Sequence, residues 1–115
     1  MPPEVLFRAL GDTTRLRCLM LLLRERELCV CELTEALALS QPKISRHLAH
    51  LRDAGITQVR RDGTWVFYRV AEDLPAWVRA VLKATFDGNA NGETLTQDLA
   101  RLKQMIGRPP RDCST

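Results

Sequence analysis

Cys29 and Cys31 stand one residue apart in Glu27-Leu28-Cys29-Val30-Cys31-Glu32-Leu33. Paired thiolates are soft ligands, suited on ligand chemistry alone to Zn, Cu(I) or Cd. Two ordinary buried thiols in an apolar helix would give the same short pattern, so position along the chain has to carry the distinction. In a regular helix residues i and i+2 point about 200° apart. Both sulfurs can face one ion only if the backbone there stays extended or unwinds. The other two cysteines, Cys18 and Cys113, are the candidates for a third ligand. Cys18 sits in an apolar run as a small core residue would, and Cys113 is near the chain end. A water, a buffer thiol or glutathione could also complete such a site.

A second constellation is polar and basic. Ser40-Gln41-Pro42 is a helix start, with Ser as N-cap and Pro inside the first turn, where a missing N–H costs little. Ile44, Leu48 and Leu51 follow at i, i+4, i+7 as the buried face. Rotation of about 100° per residue then turns Pro42, Ser45, Arg46, Ala49 and His50 outward, with Gln41 and Lys43 in the first turn. Gln pairs with adenine and Arg with guanine in a major groove, while Lys and Ser suit phosphate or base edges. His47 lies nearer the buried edge, where a packed, hydrogen-bonded imidazole is expected. Arg60 and Arg61, farther on, are placed to grip phosphate or enter a minor groove.

The charge distribution supports this. The 115 residues carry a net +3, and 14 of the 17 basic side chains are Arg, whose planar fork matches phosphate and guanine. Residues 41–70 hold six basic groups against Asp53 and Asp62, so the whole excess lies in this stretch. Clustering on one element is the footprint that phosphate neutralisation leaves.

The remaining pattern describes what must position these groups. Val5 to Leu10 predicts a short helix stopped by Gly11, and Asp12 caps a second helix that is apolar nearly all round and therefore central. Cys29–Leu37 predicts a short helix supporting the basic one, which Gly55 ends. Ile56–Arg61 and Trp65–Val70 are β-rich around Asp62-Gly63, a hairpin whose basic strand makes it a wing. Leu74–Phe86 predicts a helix with Trp77, Val78, Val81, Leu82 and Phe86 spread too broadly for one small core, as a dimer contact would be. Gly88–Gly92 is a linker, Leu95, Leu99, Leu102 and Ile106 form an amphipathic stripe, and residues 107–115 are expected to be a disordered tail.

The expected fold is α+β and mostly helical: a homodimeric winged helix-turn-helix with a two-stranded wing. Residues 1–86 form the DNA-binding and dimerisation domain, and 87–115 a linker, short helix and flexible tail. The longest apolar run, Cys18–Leu23, is too short for a membrane helix. Glu4 and Arg8 interrupt any N-terminal apolar segment, so a cytoplasmic protein without a membrane partner is expected. Its cysteines are then thiols or ligands rather than a disulfide frame. An enzyme is not expected: both histidines lie on the basic helix, and no phosphate loop or redox Cys-x-x-Cys follows a strand. A metal-sequestering protein is the other rival, and binding to a palindromic duplex separates it from a repressor.

Asp12-Thr13-Thr14-Arg15-Leu16-Arg17, the Cys-Val-Cys-Glu-Leu segment, Ser40 to Leu48 and Arg61 to Arg69 together resemble the ArsR family of bacterial winged-helix repressors, over about residues 3–86. The cysteine segment resembles that of its arsenic-responsive members. The resemblance implies a homodimer on operator DNA at its own promoter, released when As(III) or Sb(III) binds Cys29 and Cys31, with no organic cofactor. Such members usually carry a third cysteine where this chain has Thr34, which leaves the third ligand open between Cys113 and Cys18. The zinc-sensing relatives place His among their ligands on the last dimer helix, and Leu74–Phe86 has none. The implied switch is distortion of the supporting helix by the ligand-bound pair, with DNA weakening ligand binding by the same factor. A winged-helix repressor sensing another thiophilic metal or thiol oxidation is the alternative, against which stands the strain of a disulfide between i, i+2 cysteines.

Overall fold

The computed structural model describes residues 1–109, and Cys113 lies outside them. Helix α1 (Pro3–Leu10) is closed by Gly11. The side chain of Asp12 caps helix α2 (Thr13–Glu25), accepting the Arg15 N–H at 3.0 Å. Strand β1 (Glu27–Cys29) leads directly into helix α3 (Val30–Leu37). Helix α4 (Gln41–Asp53) is followed by strands β2 (Thr57–Asp62) and β3 (Trp65–Val70), then helices α5 (Ala76–Asn89) and α6 (Glu93–Gln104).

The core forms because α2 buries more than a full turn of itself, Cys18 through Leu22. Against it lie Leu33, Ala36 and Leu37 of α3, Ile44, Leu48 and Leu51 of α4, and Leu95 and Leu102 of α6. Each fully buried leucine or phenylalanine contributes about 1.5–3 kcal/mol of transfer free energy. The predicted i, i+4, i+7 face of α4 is thus the face that anchors it. No helix among the described residues is long and apolar enough to cross a membrane.

Six features differ from the sequence expectations. The support helix begins at Val30, not Cys29, because Cys29 is held in β1 by pairing with Phe67. The wing is therefore part of a three-stranded antiparallel sheet of order β1-β3-β2 rather than a free two-stranded hairpin. Its turn is Gly63-Thr64 and not Asp62-Gly63: Asp62 pairs with Trp65, and Gly63, at φ 60°, takes the left-handed backbone that a two-residue loop demands.

The last helix of the predicted domain runs through Gly88 to Asn89, leaving only Ala90–Gly92 as connection. Helix α6 is no appendage on a linker, since its Leu95, Asp98 and Leu102 are buried with α2 and α3. Nor do residues 107–109 begin a free tail. Arg108 reaches back to Glu32, and Pro109 is buried. The other residues of the expected tail lie outside the described chain.

Candidate nucleic-acid interface and thiol site

Helix α4 starts as its sequence requires. Ser40 Oγ accepts the Lys43 N–H at 3.3 Å, and Pro42 occupies the first turn. Gln41, Pro42 and Arg46 are exposed, while Lys43, Ser45, Ala49 and His50 are half-buried on the same open side. Gln41 Nε2 donates to Ser45 Oγ at 2.9 Å, which holds two polar side chains of the first turns together. Lys43, Arg46 and His50 make no ion pair or side-chain hydrogen bond among the described residues. Their donors are open to a ligand.

The two wing arginines differ. Arg60 donates from Nε and Nη2 to both carboxylate oxygens of Glu27, at 3.0 and 2.7 Å, and its guanidinium lies 4.5 Å from the Phe67 ring centre. That carboxylate raises the Arg60 pKa further above its usual value. Arg61, the next residue, is exposed and makes no such pair among the described residues. Adjacent residues on a strand face opposite sides, and only Arg60 points at β1. Arg60 thus fastens the wing to the strand that ends in Cys29.

Cys29 is both the last residue of β1 and the N-cap of α3, with φ −82° and ψ 163°. This extended backbone is what lets side chains two residues apart converge. Cys29 and Cys31, whose Cα atoms are 5.4 Å apart, are joined as a disulfide. The expectation of free thiols there is corrected: an extended cap, not a regular first turn, brings the sulfurs together. Glu32 completes a capping box, donating its N–H to Cys29 Sγ at 3.3 Å and accepting the Cys29 N–H on Oε1 at 2.9 Å. Cysteine in the capping position hid this box, although a Glu three residues after a helix start is its ordinary signal.

The buried Glu32 carboxylate also takes Arg108 Nε at 2.6 Å. At the other end of α3, Arg101 Nε donates to Ala36 O at 2.7 Å and Arg17 Nη2 to Leu37 O at 3.0 Å. Both guanidiniums are bridged by buried Asp98 of α6. Sequence reading missed Asp98, Arg17, Arg101 and Arg108, since contacts across 65 to 81 residues leave no local pattern. Thr34, where a third cysteine was sought, donates its hydroxyl to Val30 O at 2.8 Å. Cys18 is fully buried, and burial pushes its thiol pKa up to about 12. Among the described residues no cluster of three or more His, Cys, Asp or Glu could hold a metal ion.

His47 is packed and hydrogen-bonded, as expected. It is 14% exposed and 3.2 Å from Arg15 Nη1.

Known proteins resemble the chain in both sequence and shape. Residues 12–58 match the bacterial regulatory protein, arsR family, model. The arsenic resistance transcriptional regulator ArsR1 of Pseudomonas putida is 55% identical over 95% of this chain and 84% of its own length. Among solved structures, HlyU from Vibrio cholerae superimposes with a TM-score of 0.68 at 34% identity, covering 76% of this chain and 90% of that one. The AntR antimony-specific transcriptional repressor does so with a TM-score of 0.64 at 31% identity, over 78% of each chain.

Proposed function

Because the chain belongs to the ArsR family of bacterial transcriptional regulators, we propose that it is a homodimeric repressor released from operator DNA by As(III) or Sb(III) held on Cys29 and Cys31. One observation carries this: the cysteine pair sits at the junction of the wing sheet and the helix supporting α4. A ligand that alters the Cys29–Cys31 backbone acts on both DNA-facing elements at once. Arsenic in a relative's name and antimony in a neighbour's support a metalloid inducer.

Once reduced, Cys29 and Cys31 offer two thiolates from one extended turn, the soft donors such an ion takes. Of the two candidates for a third, Cys113 is favoured over Cys18. Cys18 is sealed in the core with a thiol hard to ionise, whereas Arg108 on Glu32 and buried Pro109 bring the described chain end to the start of α3. Cys113 is the fourth residue after Pro109, a span of at most about 14 Å.

On the DNA side, Gln41, Pro42, Lys43, Ser45, Arg46 and His50 face the major groove and Arg61 the flanking backbone, with Arg60 bracing the wing. Dimerisation uses α1 and α5. Phe7 is 54% and Trp77 39% exposed, whereas Val78 and Leu82 are buried and Val81 and Phe86 pack partly on the core, so Phe7 and Trp77 are the large apolar groups left for a second copy.

Operator release by As(III), Sb(III), Cd(II), Zn(II) and peroxide, compared between the parent chain and Cys29→Ser, Cys31→Ser and Cys113→Ser, tests the assignment. Release by As(III) or Sb(III) in excess monothiol, abolished by either serine at 29 or 31, is expected. The disulfide itself favours a second reading, in which oxidation of the pair is the signal. Release by peroxide and not by metalloid would select it.

A further inference from the structure

The sharpest group left unused by that function is the contact between α2 and the recognition helix. Arg15 commits its whole guanidinium. Nε donates to Ala9 O at 2.9 Å and Nη2 to Arg8 O at 3.0 Å, two carbonyls at the C-terminal end of α1. Its remaining nitrogen, Nη1, lies 3.2 Å from His47 Nδ1 on α4. A guanidinium can only donate. His47 Nδ1 must therefore accept, which places the ring proton on Nε2 and requires the neutral imidazole. Asp12 Oδ2, 3.6 Å from the same nitrogen, is poised to take over if the ring is protonated.

We infer that Arg15 and His47 form the seat that sets the rotation of the recognition helix on α1 and α2, with the His47 imidazole as its proton-sensitive half. His47 is flanked by Arg46, one residue before it, and His50, one turn after it, on the open side of α4. Turning α4 about its anchored face moves both. Protonation converts the Nδ1 acceptor into a donor opposed to a guanidinium, breaks the contact and draws the ring toward Asp12. Neither Arg15 nor His47 needs to touch DNA; both act by positioning the residues that do.

The charged groups acting on the ring are Asp12 and Arg15 from the α2 side and Arg46 and Lys43 on α4. Burial is the largest influence; with the three cations it outweighs Asp12 and holds the His47 pKa below 6.5. The seat is therefore intact at neutral pH. Because the unfolded state takes up this proton first, the stability the seat contributes is present above pH 6.5 and is lost as pH falls through the lowered folded value.

The inference rests on the function proposed above, in which α4 reads DNA. Its test uses a duplex enriched from a random-sequence library by the parent chain at pH 7.5. Kd is measured at pH 7.5 and 5.5 and constant ionic strength for the parent chain and His47→Gln. Gln can accept from Arg15 through Oε1 but does not titrate, and every other side chain is common to the two proteins. The ratio of the two Kd values should be roughly three- to tenfold larger for the parent chain, the worth of one hydrogen bond.

Equal ratios overturn the inference and leave the proposed function standing, whereas failure to enrich any duplex overturns both. Nitrogen NMR of the free parent chain gives an independent reading should the variant not fold. A His47 ring protonated at Nε2 and titrating below 6.5 is expected, and a neutral ring protonated at Nδ1 would sink the contact.

Discussion

Helices α3 and α4 are neighbours joined at Ala38–Ser40, yet they treat their polar groups in opposite ways. At α3 the polar groups are consumed internally: Glu32 and Asp98, both buried, take Arg108, Arg17 and Arg101, and two of these arginines also reach the last carbonyls of the helix. At α4 the apolar side is equally well anchored, but Lys43, Arg46 and His50 make no ion pair or side-chain hydrogen bond among the described residues. A helix that must support is fixed at both ends. One proposed to read DNA carries polar side chains that the described protein does not use. The wing repeats the division within two residues, Arg60 tied to Glu27 and Arg61 open. Basic charge is a guide to DNA contact only after the charges spent on the protein's own carboxylates are set aside.

The contrast breaks most visibly at Asp98. Asp98→Ala strips two guanidiniums of their shared carboxylate, and urea unfolding should show a loss of about 2–3 kcal/mol, the lower side of the usual range because water can reach both arginines. Unchanged stability would mean that α3 does not depend on its C-terminal clamp. Arg46→Ala should cost about 1–3 kcal/mol in binding to an enriched duplex and relax base preference at one position, with unfolding unaffected. Arg61→Ala should weaken binding to every sequence alike and lower the slope of log K against log salt by about one.

The smallest binding effect is expected from Arg60→Ala. It should leave the salt slope unchanged while amide exchange quickens in Glu27–Cys29, because its bond is to the protein's own strand. Equal salt slopes for the Arg60 and Arg61 variants would erase the distinction between them.

What the sequence disclosed followed from local rules. The cap and proline at Ser40-Gln41-Pro42 and the spacing of Ile44, Leu48 and Leu51 located α4 and its open side, because a helix repeats its faces by geometry alone. The β-rich runs located the wing, though the turn slipped by one residue to Gly63-Thr64 once Asp62 paired with Trp65. The spacing of Cys29 and Cys31 established that chelation needs non-helical backbone, but not that β1 supplies it. Pairing of Cys29 with Phe67, 38 residues away, holds Cys29 in that extended state.

The same limit applies to charge. The residue list determined that the net excess lies in residues 41–70 and that Arg supplies most of it. Which arginines are open and which are clasps was decided by the tertiary structure, through partners such as Glu27, Asp98 and Glu32 that lie 33 to 81 residues distant. Local periodicity is a property of the chain, set by a few residues of backbone geometry. An ion pair across the fold exists only after the core has brought its two ends together.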